Sequence, residues 1–147
     1  MKAIARGLIG VAHHQAGDNE QAVRHLGAAL GISRSTGDTD QIIGSLNRLA
    51  ATHLTEGNPS AALHLYRQAM AESGDDIPDE RALSHIGLGD VHAALGDHGQ
   101  AAEHWRRALA IYRRLGMPQA DAVAAKLAVS PPSTDGASQD CAPPSCG

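Results

Sequence analysis

The chain contains no phenylalanine and a single tryptophan, Trp105, so its core must rest on Ala, Leu, Ile and Val. Side chains this small bury enough area only where helices approach one another closely, which favours helix-on-helix packing. Cysteine is nearly missing. Cys141 and Cys146 both lie at the C-terminal end, which excludes a disulfide scaffold. Neither sign of charge dominates: the formal net charge is -4, and Asp135 and Asp140 near the C-terminus supply part of it. No basic field is available to wrap nucleic acid. No apolar run approaches the roughly 18 to 20 residues that cross a bilayer. Only Lys2 and Arg6 precede a short, glycine-interrupted apolar stretch, unlike a signal peptide. At 147 residues the chain is one domain or a piece of a larger protein, expected to be soluble and cytoplasmic.

What is present is helical spacing. Apolar residues recur with a period near 3.6 almost throughout, and no stretch alternates as a half-buried strand would. The pattern predicts helices over about Lys2 to Ala16, Asp18 to Ser35, Thr39 to Thr55, Pro59 to Gly74, Pro78 to Leu95, Asp97 to Leu115, and a short one from Pro118 that fades by Ser130. Gly17, Gly37, Gly57, Gly96 and Gly116 are the expected stops, because a residue without a Cβ takes the left-handed conformation that ends a helix. Asp18 or Asn19, Asn58 and Asp97 are the expected caps, with Pro59 at a first helical position. Gly27 and Gly31 fall inside the second helix and cost it roughly 1 kcal/mol each against Ala. Residues 130–147 hold prolines and small polar residues with little apolar bulk, and are expected to be a disordered Pro/Ser-rich tail.

The punctuation repeats. Gly17, Gly57 and Gly96 are spaced by 40 and 39 residues, a period that means stacked helical hairpins. Ala22, Ala62 and Ala101 hold equivalent places, as do Leu26, Tyr66 and Trp105, and Ala29, Ala69 and Ala108. The alanines let two helices close up, and the larger residue fills the space between them. These residues resemble the tetratricopeptide repeat (TPR) family. Leu88-Gly89 matches its Leu-Gly pair, Ala101-x3-Trp105 its Ala-x3-Phe, and Ala108 its following small residue. The second repeat keeps Leu49, Ala62, Tyr66 and Ala69, and the first keeps Gly10, Ala22 and Ala29. The family's Trp is replaced by Arg6, Leu46 and His85, and its Tyr by His13, His53 and His92. Its closing Pro is missing, and the period exceeds the family's usual length of about 34 residues. Repeats of the longer period are similar to the arrays of actinobacterial antibiotic-regulatory and signal-transducing ATPase transcriptional regulators. The ending is similar too, with the Leu115-Gly116-Met117-Pro118 joint before an Ala-rich helix. Neither a winged helix nor a P-loop is part of this chain, so no DNA-binding or ATPase activity carries over.

The resemblance implies an all-α, superhelical solenoid of three antiparallel helix hairpins, over about 2–37, 39–74 and 78–116, with a capping helix at 118–129. No catalytic site is expected: the sequence holds no nucleophile motif, no plausibly placed carboxylate pair and no phosphate loop. No cofactor or metal is expected either. His13, His53 and His92 occupy one repeat position, and equivalent helices about 8 to 10 Å apart cannot bring three imidazoles onto one ion with bonds near 2.1 Å. They are expected to be partly buried, hydrogen-bonded packing residues. His14 and His104 suggest no more, and Cys141 and Cys146 belong to an inert tail. Arg106, Arg107, Arg113 and Arg114 form a solvated stripe, with Glu103 pairing to Arg107.

In the TPR family the first helix of each hairpin lines the concave surface. The family's ligand-facing positions fall on Ile4, Gly7, Val11 and His14, on Gly44, Asn47, Ala51 and Leu54, and on Leu83, Ile86, Asp90 and Ala93. From these the resemblance implies a partner-binding groove of Val11, His14, Asn47, Ala51, Leu54, Ile86 and Asp90. It lacks the Lys and Asn set that clamps a C-terminal carboxylate, so an apolar or amphipathic peptide or helix is the expected partner, with no direct nucleic-acid or membrane contact. The alternative is a self-associating module, in which the outer face of the N-terminal hairpin, with Ile4, Leu8 and Val11, meets a second copy.

Overall fold

Four helix starts share one device. In the computed structural model, which describes residues 18–129, the side chains of Asp18, Asp38, Asn58 and Asp97 each accept a hydrogen bond from the backbone N–H three residues on, at Gln21, Gln41, Ala61 and Gln100. Each such cap contributes about 1 kcal/mol by satisfying an amide that the helix leaves open. The helices are α1 (Asn19–Thr36), α2 (Thr39–Thr55), α3 (Pro59–Glu72), α4 (Pro78–Ala94), α5 (His98–Leu115) and α6 (Gln119–Val129). No strand occurs among the described residues. The helix expected over Lys2 to Ala16 and the tail expected after Val129 lie outside them.

The ends of α1 to α5 follow the glycines with one exception. Gly37, Gly57, Gly96 and Gly116 have φ between 67° and 83°, a region costly to any residue with a Cβ. At the α3 end the expected stop near Gly74 falls earlier, at Glu72. Ser73 is extended (φ -81°, ψ 116°) and its backbone N–H bonds to Ala69 O, while its carbonyl accepts from Arg81 Nη1 of the next helix. The joint from Ser73 to Ile77 is therefore pinned by α4 and does not reverse on a glycine. Helices of 17 or 18 residues, α3 and α6 excepted, account for the long repeat.

Each helix packs on the next, and α2 also packs directly on α4. Consecutive hairpins therefore stack first helix against first helix, as in a solenoid. The alanines that recur by sequence, Ala22, Ala62, Ala101, Ala69 and Ala108, are completely buried, and Ala29 nearly so. Leu26, Tyr66 and Trp105 are buried between helices, as their repeat position implies. The last cluster joins Trp105, Leu109 and Tyr112 of α5 to Val123 of α6, so the short helix closes the end of the array by covering the α5 aromatics. Each of these aromatic or aliphatic side chains stabilises the fold by about 1.5–3 kcal/mol.

Two glycines of α4 make its packing unusually close. A methyl group added at Gly87 would overlap the Tyr66 ring at Cζ, and one at Gly89 would overlap the Trp105 indole at Nε1. The aromatic chains of α3 and α5 thus press on the α4 backbone from either side. Gly27 and Gly31 play no such part: both are exposed, and no described atom lies within 4 Å of an added methyl group.

Candidate partner-binding groove

The face built by α2 and α4 carries a hollow of about 290 Å³. Gly44, Asn47, Arg48 and Ala51 of α2 form one wall, and Glu80, Leu83, Ile86, Gly87 and Asp90 of α4 the other. Tyr66 of α3 supplies the floor. It reaches through because Gly87 offers no side chain to stop it. Leu83 is 46% exposed, large for an apolar residue flanked by Ala51 and Ile86. Burial and the Asp90 charge push the Tyr66 phenol well above its ordinary range, so it stays a protonated donor.

Four of the residues expected in the groove line this hollow: Asn47, Ala51, Ile86 and Asp90. Leu54 does not; it packs against the buried cluster of Ala50, Ala62, Tyr66, Leu88 and Val91. Val11 and His14 lie outside the described residues. The two polar members are already engaged. Asn47 Nδ2 donates to Glu80 O at 3.2 Å and to Glu80 Oε2 at 3.0 Å, and its Oδ1 accepts from Ser84 Oγ at 2.8 Å. With both amide hydrogens and the carbonyl engaged, Asn47 clamps α2 to α4. Asp90 Oδ1 accepts from Trp105 Nε1 at 3.1 Å and from Lys126 Nζ at 3.0 Å. Lys126 Nζ also lies 5.7 Å from the Trp105 ring centre, a favourable cation–π distance.

Arg48, Glu80, Tyr66 and Gly87 were not foreseen in the groove. Glu80 and Arg48 flank Gly44, where an added methyl group would lie 3.5 Å from Glu80 Oε1 and 2.8 Å from Arg48 Nη1. Helical periodicity gives the face of a residue but not its neighbour's offset, so these could not be placed by spacing. Tyr66 carried a signal of a kind, since its repeat position faces the first helices.

A second hollow, of about 420 Å³, opens on the side of α3 and α5, with α4 beneath. Arg67, His85, His92, Asp97, His104 and Arg107 provide its charged and titratable lining. His85 Nδ1 and His104 Nδ1 are 3.1 Å apart, with ring centres separated by 5.4 Å. His92 stacks with His104, its ring centre 5.5 Å away and its plane 7° from parallel. The first pair meets nearly nitrogen to nitrogen, as an N–H···N hydrogen bond requires. Among the described residues no group of three or more His, Cys, Asp or Glu has the geometry to hold a metal ion.

Burial, then the charges of His104, Arg107 and Arg81, push the His85 pKa down to about 4. Burial also lowers His104, assisted by His92, Arg107 and Arg67 and opposed by Glu103. Sequence reasoning placed His92 with its repeat equivalents and missed this cluster. The seven-residue spacing of His85 and His92 was the available signal, because it sets both on one face of α4. His53, the described equivalent of His92, is partly buried as expected. Its Nδ1 makes no hydrogen bond among the described residues, because the Glu56 carboxylate approaches to 3.3 Å out of line. Glu103 bridges Arg107 at 3.0 Å, as the spacing implied, and the other three arginines of the stripe are exposed.

Two tetratricopeptide repeat models match the sequence, one over residues 2–71 and the other over residues 82–115. The chain belongs to the TPR family. Solved structures similar to this TPR array include the apo form of RapI, with a TM-score of 0.77 at 18% sequence identity. The match covers 86% of this chain and 36% of that one, so the array corresponds to about a third of RapI. No curated protein sequence matches the TPR array significantly. No helix among the described residues is long and apolar enough to cross a membrane.

Proposed function

We propose that this TPR array is a non-catalytic, cytoplasmic interaction module that takes an apolar or amphipathic peptide or helix against α2 and α4. The observation that carries this reading is the hollow over Tyr66, walled by Ala51, Leu83 and Ile86. Its polar groups are matched internally, Asn47 by Glu80 and Ser84 and Asp90 by Lys126 and Trp105. A bound segment therefore gains by covering apolar area, and a large apolar side chain set in the hollow contributes about 1.5–3 kcal/mol. Asp90 Oδ2 and Arg48 at the margins then set orientation. The repeat period of 39 to 40 residues and the Leu-Gly-x-Pro joint support a place in a regulator of the actinobacterial antibiotic-regulatory or signal-transducing ATPase type.

The test is a peptide array probed with the wild-type chain and with Leu83→Asp and Ala51→Arg, two changes at the rim that leave the Asn47 clamp alone. Peptides bound by wild type and lost by both variants, at unchanged thermal stability, would support the groove. Peptides retained by both variants would refute it. Light scattering on the same samples reads out the alternative, self-association, through a mass that rises with concentration.

A further inference from the structure

The hollow beside α3 and α5 has a chemistry that an apolar peptide groove does not use. Nitrogen donors enter it from three directions. Arg67 comes from α3, His85 and His92 rise from α4, and Gln100, His104 and Arg107 come from α5. Arg67 is exposed and has no ion-pair partner among the described residues. Arg107 engages Glu103 through Nη2 alone, leaving the rest of its fork available. Asp97 is the one carboxylate among the described lining residues, and one of its oxygens already caps Gln100 N–H at 3.1 Å.

From this convergence we infer that the hollow binds a phosphoryl group, with Arg67 and Arg107 as its fixed cations and the imidazoles as donors recruited on binding. Donors arriving from two helices and a floor suit a tetrahedral oxyanion, whose acceptors point several ways, better than a planar carboxylate. Empty, the site resists protonation. The groups that oppose charging of the histidine pair are Arg67 on α3, Arg81 and His92 on α4, and Arg107 on α5, countered by Glu103 on α5 and Asp97 at its start. A bound dianion reverses that field. His104 then becomes a charged donor, and binding takes up a proton. Linkage fixes the sign for a given protonation state of the ligand: one that raises an imidazole pKa binds more tightly as pH falls through the imidazole range. The hydrogen bond between His85 and His104 needs one acceptor nitrogen, so double protonation breaks it. One of the pair must therefore stay neutral.

The experiment uses the full chain and inorganic pyrophosphate as probe, followed by calorimetry and by NMR titration of the histidine C–H signals. Corrected for the probe's own protonation, binding should be about tenfold tighter near pH 5.5 than near pH 7.5, the gain expected for about one pKa unit of upward shift. The His104 signals should titrate at higher pH when the probe is present. Arg67→Gln should weaken binding several-fold, whereas Arg106→Gln, on the outer stripe of α5, should leave it unchanged. Pyrophosphate affinity that is independent of pH, or equally reduced by the two arginine changes, would overturn the site. A phosphoserine peptide bound in the same manner would identify a protein-borne phosphate as the source, and pyrophosphate bound alone a free one. A glutamate-rich peptide bound as tightly as either would refute phosphoryl recognition.

Discussion

Gly87 of α4 lies directly against the Tyr66 ring of α3, with room for a hydrogen but not for a methyl group, which would overlap the ring at Cζ. This contact both seats α4 on the preceding hairpin and opens the floor of the groove to the tyrosine. Gly87→Ala must therefore displace either the ring or the helix. Overpacking of this kind costs about 1–3 kcal/mol, read as a lower urea midpoint. The cost should largely vanish in a Tyr66→Ala background, where the obstructed ring is gone. Equal cost in both backgrounds would show that the close contact is not its source.

The short helix α6 is held by a different bond. Lys126 Nζ and Trp105 Nε1 share Asp90 Oδ1, so one carboxylate ties α4, α5 and α6 together. Asp90→Ala leaves a buried indole N–H and a partly buried ammonium without their acceptor, at a cost of about 1–3 kcal/mol. Hydrogen exchange should show the loss first as faster exchange over Gln119–Val129. Protection that falls uniformly over all six helices would mean that Asp90 supports the array as a whole.

These two contacts show where a sequence is legible. Caps and stops are local: Asn58 and Asp97 each act within three residues of themselves. Where the sequence offers Ile77 at the cap position of α4, no side-chain cap forms. The alternation of small and large residues at Ala62, Tyr66 and Ala69 likewise reports a helix pair without knowledge of the partner. The groove's polar links are not local. Asn47 meets Glu80 and Ser84 because α2 and α4 lie at one particular axial offset, which no periodicity encodes. Leu54 shows the same limit: the family pattern puts it on the groove face, and in the structure it packs against the cluster that holds Leu88 and Val91. The histidine cluster joins residues 85 and 104, on separate helices, whose approach depends on the closeness that Gly89 grants Trp105.

The glycines inside α1 offer the opposite case to Gly87. Gly27 and Gly31 are exposed helical residues with no described atom within 4 Å of an added methyl group. Alanine at either position reduces the backbone freedom of the unfolded chain and disturbs no described neighbour. Each substitution should stabilise the protein by about 0.5–1 kcal/mol, and the pair should be nearly additive. Thermal melts of the single and double variants check this; a lower melting temperature for either would reveal a packing role for the missing side chain.

Acid should weaken the third hairpin through His85. Its folded pKa is pushed down to about 4, with burial the largest cause, whereas an unfolded histidine titrates near 6.5. The folded state therefore refuses a proton that the unfolded chain accepts. The stability contributed is fully present above pH 6.5 and declines as pH falls toward about 4, a total of about 3 kcal/mol. Carboxylates titrate at the lower end of the same window, so the informative quantity is the difference between wild type and His85→Gln. In a phosphate-free buffer the variant should lose the part of the slope between about pH 6.5 and 4.5, because glutamine has no proton to take up. Parallel slopes for the two proteins would show that His85 titrates alike in the folded and unfolded chain. Added pyrophosphate should flatten the wild-type slope in that interval by favouring the charged imidazoles of the same hollow, joining the stability measurement to the proposed phosphoryl site.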